Sequence, residues 1–243
     1  MEDNVYDLDS KLGIYRTIHK EAAQINHGIE IKNVKTHEYE WVDYTPTRFI
    51  YSFFTFNTLY NIDWHNSLRS GNIHFFRRED DFTEEEKQDA YLSFVFKDEE
   101  FVSIFKDAFI NYITRDITAN DIIVELREIQ PDRDNNGSVR SPQYIKTFQD
   151  SMKSLLLDKT FNKKTVSTIL DFIYSIRCNI FHGVKTMKQM LQSSQIERLD
   201  IYTSVIIAIN QMCFSYIEYL IDGGDYVEKN IENVFSRLRI LSR

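Results

Sequence analysis

A mostly α-helical fold is predicted by three features of this 243-residue sequence. It holds only 7 glycines and 3 prolines, against 18 phenylalanines and 14 tyrosines. This excludes disorder and a turn-rich all-β design. Its apolar residues recur at three- and four-residue spacing, the signature of amphipathic helices. At 42% hydrophobic residues, the chain can bury the core of one large domain.

Residues 10–26 read as a helix, with Leu12, Tyr15, Ile18, Ala22 and Ile25 in register and Gly28 stopping it. Residues 29–45 alternate in part and fit either a strand pair or an extended arm. Thr45 and Pro46 open a helix to about residue 63. Phe49, Phe53, Phe56 and Tyr60 form its apolar stripe, which Ile50 and Phe54 widen. Asn57 falls inside that stripe and requires a polar partner, because an unpaired buried amide costs ~1–3 kcal/mol. Trp41 and Trp64 read as core. Residues 66–81 form a polar connection with a turn at Arg69-Ser70-Gly71-Asn72. Thr83-Glu84-Glu85-Glu86 has the form of a capping box opening an acidic helix. Phe101, Ile104, Phe105, Ala108, Phe109 and Tyr112 make the next stripe, and residues 117–129 a further short helix. Residues 130–141 are a loop. Beyond Pro142, Ile145, Phe148, Met152, Leu155 and Leu156 define a helix. Another runs from Val166 to about His182, burying Ile169, Phe172, Ile173, Ile176 and Ile180, with Gly183 as its terminator. A long helix spans about 197–222, and Gly223-Gly224 separates it from a last basic one.

The formal charge is −8, so bulk electrostatics do not make this a protein that coats nucleic acid. Between Lys159 and Gln192, however, six basic residues face one acid, Asp171. That segment carries +5 and leaves −13 for the remainder, a patch suited to a short single strand. Two cysteines, Cys178 and Cys213, support neither a disulfide framework nor a zinc site. Cys178 and His182, at i and i+4, are two ligands where catalytic zinc usually takes three. No metal or other cofactor is expected. The N-terminus has no apolar secretion core, and the apolar run from Val205 to Ile221 contains Asn210, Gln211 and Glu218. These features predict a buried helix instead of a membrane span, and a cytoplasmic protein.

Arg177 and His182, five residues apart, are the candidate catalytic pair. Arginine offers a planar fork of donors matched to phosphate, and histidine exchanges protons near neutrality. Together they supply what RNA cleavage through the ribose 2′-hydroxyl requires, without a metal. The segment Ile173-Tyr174-Ser175-Ile176-Arg177-Cys178-Asn179-Ile180-Phe181-His182-Gly183-Val184-Lys185 resembles the signature of the HEPN superfamily. These are small helical domains whose Arg-x4–6-His motif marks many metal-independent ribonucleases. Phe53-Phe54-Thr55-Phe56-Asn57-Thr58-Leu59-Tyr60-Asn61 resembles an early helix of several of its branches. Residues 1–45 and about 65–140 lie outside the resemblance. Active members often carry Asn, Asp or His directly after the arginine, whereas this chain has Cys178 there and Asn179 next.

The resemblance implies a single HEPN-like helical bundle over residues 1–243. Its core helices would lie at about 45–64 and 142–222, with an added helical insertion at about 65–141 and a small β or extended N-terminal segment. At 100° per residue, His182 stands about 140° around an ideal helix from Arg177. Either the helix bends at Gly183, or the pair meets its counterpart across a two-fold axis. In HEPN ribonucleases two motifs share one cleft, which implies a homodimer here. His182 would then serve as general acid or base and Arg177 would stabilise the charged transition state. Asn179, Cys178 and Asn57 would support them, while Lys185, Lys188, Lys163 and Lys164 would hold RNA phosphates. A toxin or defence effector, with an antitoxin or sensor protein as partner, fits this picture. The alternatives are a non-catalytic nucleotide-, RNA- or protein-binding module, and an Arg177 and His182 that only cap the helix C-terminus.

Overall fold

The computed structural model describes residues 2–77, 82–129, 141–181 and 186–222, together with Phe235 and Leu238. Helices dominate, and the described strands form one two-stranded sheet. The chain opens with α1 (Glu2–Lys11) and α2 (Gly13–Gln24), which meet at buried Leu12. The sequence pattern for residues 10–26 had merged this pair into one helix and missed most of α1. α2 buries His19, Ala22 and Ala23 and leaves Ile18 exposed.

Of the two possibilities open for residues 29–45, the structure shows a strand pair. β1 (Gly28–Lys32) and β2 (Tyr39–Asp43) run antiparallel, with Gly28 opposite Asp43. Trp41 is 58% exposed on this hairpin and not in the core. A Cβ on Gly28 would stand 2.3 Å from the Val42 carbonyl oxygen and 2.7 Å from the Trp41 ring, so only glycine fits there.

α3 (Thr45–Tyr60) begins with proline in its first turn and buries Phe49, Phe53, Phe56 and Tyr60. Phe54 is 48% exposed, so the stripe is narrower than its spacing suggested. The expected connection at 66–81 contains α4 (Trp64–Ser70). Asp63 caps it by accepting from the Asn66 amide, and it ends at Gly71, whose φ is +68°. α5 (Glu84–Val95) starts with the anticipated capping box between Thr83 and Glu86. α6 (Glu99–Ile113) and α7 (Ala119–Arg127) follow, each with an aspartate or threonine cap. Residues 130–140, most of the expected loop, lie outside the described residues.

α8 (Pro142–Leu156) buries all five residues of its sequence stripe. α9 (Lys163–Phe181) packs against α8 and α5. A four-residue helix, α10 (Met187–Met190), precedes α11 (Ser193–Asp222). Every residue of α11 from Ile201 to Ile217 is buried, and a helix buried all round is a core element. It is the one described helix long and apolar enough to cross a membrane, and 78% of its apolar window lies inside the fold. α3, α6, α1, α2, α7 and α5 all pack on it.

Polar bonds fix α11 rotationally within that apolar setting. Arg48 of α3, 2% exposed, reaches Asp200 at 2.6 Å. The Asn210 amide donates to the Ser52 carbonyl at 3.1 Å, and the Tyr91 hydroxyl to the Ile209 carbonyl at 3.0 Å. Arg198 pairs with Glu125 of α7 at 2.7 Å. The helices between residues 84 and 127 therefore share one core with α3, α8, α9 and α11.

Candidate functional site

The rotation of α9 decides what its C-terminal end presents. Val166, Ile169, Leu170, Phe172, Ile173 and Ile176 are buried, which leaves Tyr174, Arg177, Cys178 and Asn179 half-buried along the border of that face. The Arg177 guanidinium sits over the Phe181 ring at 4.5 Å and 5.7 Å from the rings of Tyr174 and Phe53. Its Nη1 lies 3.9 Å from the Cys178 sulfur, a weak acceptor. Its Nε is buried with no hydrogen-bond partner. Among the described residues no carboxylate stands within ion-pair distance of it, and no helix carbonyl accepts from it. The guanidinium is thus held by aromatic faces, which favour a cation without neutralising it.

Around this cation the helices bring together groups that the sequence had only partly singled out. The Tyr60 hydroxyl sits between Asn57 Oδ1 and Glu84 Oε2, the latter at 2.6 Å. One phenol proton satisfies one of these acceptors at a time. Burial, then Glu84, pushes the Tyr60 pKa up, while the nearby charge of Arg177 opposes that shift. Tyr174 is also raised, first by desolvation and then by Cys178 and Glu84. Asn57 therefore has its polar partner in Tyr60, and Tyr60 connects it to the surroundings of Arg177. Tyr60, Glu84 and Tyr174 did not figure among the sequence candidates. The signal was present as spacing alone: Tyr60 three residues after Asn57, and Tyr174 three before Arg177, both on shared helical faces.

The remaining candidates separate. His182, Gly183 and Lys185 lie outside the described residues, as does the Lys188 side chain. Asn179 makes no side-chain hydrogen bond among the described residues. Lys163 is fourteen residues before Arg177, about 21 Å along the helix. There it bonds Asp89 at 2.7 Å and the Ser93 hydroxyl at 2.8 Å. Lys164, beside it, is exposed. α9 thus carries its basic residues at opposite ends.

Beyond Phe181, on its Phe54 side, lies a surface groove. Phe54 meets the Phe181 ring at 6.0 Å, and Phe54 also lines an apolar depression of about 640 Å³ between α2 and α3 with Ile18, Ile25, Tyr44 and Tyr51. No group of three metal-ligating side chains occurs among the described residues. Comparison with protein-family models, with curated proteins and with solved structures finds no match.

Proposed function

We propose that this chain is a metal-independent endoribonuclease of the HEPN type, cytoplasmic and acting as a homodimer. The observation that carries the reading is the Arg177 guanidinium, half-buried at the end of α9, clasped by Phe53, Tyr174 and Phe181, with no carboxylate partner among the described residues. A cation desolvated in this way is suited to the charge that develops on a phosphorane-like transition state. His182 supplies the proton transfers at the 2′-hydroxyl and the 5′-oxygen, giving a 2′,3′-cyclic phosphate and a 5′-hydroxyl. Asn57 and Cys178 act through Tyr60 and Tyr174, and Asn179 and Lys185 contact the RNA.

The apolar groove supports the dimer. Phe54 and Phe181 are exposed beside Arg177, and a two-fold contact there would bury them while bringing two motifs to one cleft. The partners on this reading are RNA, a second copy of the chain, and an antitoxin or sensor protein that restrains the effector.

One observation favours a non-catalytic binding module instead: Arg177 directs Nη1 at Cys178, an inward contact that a purely structural arginine would also make. The decisive experiment incubates purified protein with RNA in EDTA and identifies the fragment ends. Cyclic phosphate ends are expected. Arg177→Ala and His182→Ala should each reduce cleavage about 100-fold or more with helix content unchanged. Full activity in His182→Ala would remove the nuclease assignment.

A further inference from the structure

The β1–β2 hairpin packs chiefly on itself, its two strands against each other. Ile29 and Ile31 are exposed on one of its faces, Tyr39 and Trp41 on the other. A two-stranded ribbon of this kind is marginal in water and gains stability from further strands.

The register fixes which backbone groups are free to receive one. The His27 carbonyl accepts from the Tyr44 amide, and the Asn33 amide donates to the Glu38 carbonyl. Such pairs alternate along an antiparallel ladder, so Ile29 and Ile31 direct their backbone groups at β2. Gly28, Glu30 and Lys32 direct theirs outward, where no described backbone group bonds them. Glu30 and Lys32, two residues apart, share a face of the strand and are both exposed. Neither side chain forms an ion pair among the described residues.

Charges on an edge strand ordinarily guard it against pairing. Here they are complementary to themselves. Two copies of β1 laid antiparallel bond only through their outward-facing residues. In the register that sets Ile31 against its counterpart, Glu30 of each copy stands opposite Lys32 of the other. Sliding one copy by two residues either way sets Glu30 against Glu30 or Lys32 against Lys32, which is unfavourable. The edge of β2 has no such register: from Glu38 to Tyr44 the chain carries Glu38, Glu40 and Asp43 and no base.

We propose that β1 pairs with β1 of a second copy, joining two hairpins into one antiparallel sheet across a two-fold axis. The pairing rests on the homodimer reading and names a contact for it. Ile25 and Tyr44, which flank the hairpin in sequence, line the groove with Phe54, so sheet and groove belong to one continuous surface. On the sheet the two Ile31 side chains meet at a closely spaced pair, and the paired charges lie between Trp41 of one hairpin and Tyr39 of the other.

The test exchanges the charges on the full chain and reads mass by sedimentation over a concentration series. The parent should be a dimer. Lys32→Glu alone and Glu30→Lys alone, both at exposed positions, should each raise the dimer Kd about tenfold or more. Mixing these two variants should restore a dimer holding one copy of each, and the double exchange Glu30→Lys with Lys32→Glu should restore it within one protein. Dimers as tight as the parent in both single variants overturn the pairing and leave the shared-cleft dimer standing. A monomeric parent overturns both and leaves the edge to a strand of another protein. Assemblies that grow beyond the dimer with concentration also overturn it, because β1 on β2 of the next copy does not close. Absence of RNA cleavage in a dimer that obeys the charge exchange removes the nuclease and leaves the pairing.

Discussion

At the scale of single residues, Cys178 is the informative departure in the motif segment. It is half-buried against Tyr174, so it is no member of the tightly packed core. An asparagine there would find the Tyr174 hydroxyl within reach, where a thiol bonds weakly. Cys178→Asn is expected to keep the thermal stability within about 1 kcal/mol and to preserve or raise cleavage. Cys178→Leu is expected to abolish cleavage, and thermal melts paired with RNA assays read both. His19 offers a separate, pH-based measurement. It is fully buried, and its Nε2 faces the side-chain amide oxygen Oε1 of Gln211 at 3.2 Å. Desolvation lowers its pKa from 6.5 to about 4. The folded state thus refuses a proton that the unfolded state accepts. The resulting stabilisation is complete above about pH 6.5 and is lost as pH falls toward 4, by on the order of 3 kcal/mol. Urea melts from pH 7 to pH 4 should show this slope, and His19→Phe should flatten it.

At the scale of elements, the ion pair between α3 and α11 is the most exacting contact. Arg48 is buried and Asp200 is its acidic partner, so removing one charge strands the other. Asp200→Ala is expected to destabilise by about 3–5 kcal/mol, whereas Arg48→Met combined with Asp200→Leu should come out much closer to neutral. Chemical denaturation of the three proteins decides between these outcomes. The cap of α5 is a milder case: Thr83→Ala should remove about 1 kcal/mol, read in the same way. Helix identity was legible in the sequence wherever a long stripe met an unambiguous cap, as at Pro46, Thr83 and Pro142. It was not legible at α1, where Leu12 is buried at the junction and hides the break from any periodicity. Nor was it legible at α4, whose seven residues are too few to show a period. Trp41 and Phe54 misled for one reason. An aromatic side chain signals burial, but these two sit on faces that their neighbours only partly cover, leaving Trp41 58% and Phe54 48% exposed.

At the scale of the whole molecule, sequence pattern singled out Arg177 as a candidate without its surroundings. The residues that clasp it come from α3 as well as α9, with Glu84 of α5 reaching the surroundings through Tyr60, and tertiary packing alone sets such neighbours. The proposed dimer is a property of this scale too. Light scattering at micromolar concentration should give twice the chain mass of 29.0 kDa, and charge placed in the groove by Phe54→Asp should return it to the monomer. A monomer in the parent protein would refute the two-fold arrangement.

The contacts of α2 with α11 bear on how the molecule is made. Arg16 reaches the Phe214 carbonyl across 198 residues of sequence, and His19 reaches Gln211 across 192. At ribosomal rates of about 5–20 residues per second, the first helices must wait roughly 10–40 s for the helix they pack against. Through that interval Leu8, Leu12, Ala22 and Ala23, all buried in the finished fold, have no α11 to cover them. Nascent chains halted before residue 200 should therefore be cut readily by protease within α1 and α2 and should recruit hydrophobic-binding chaperones, and both signs should vanish once α11 has emerged.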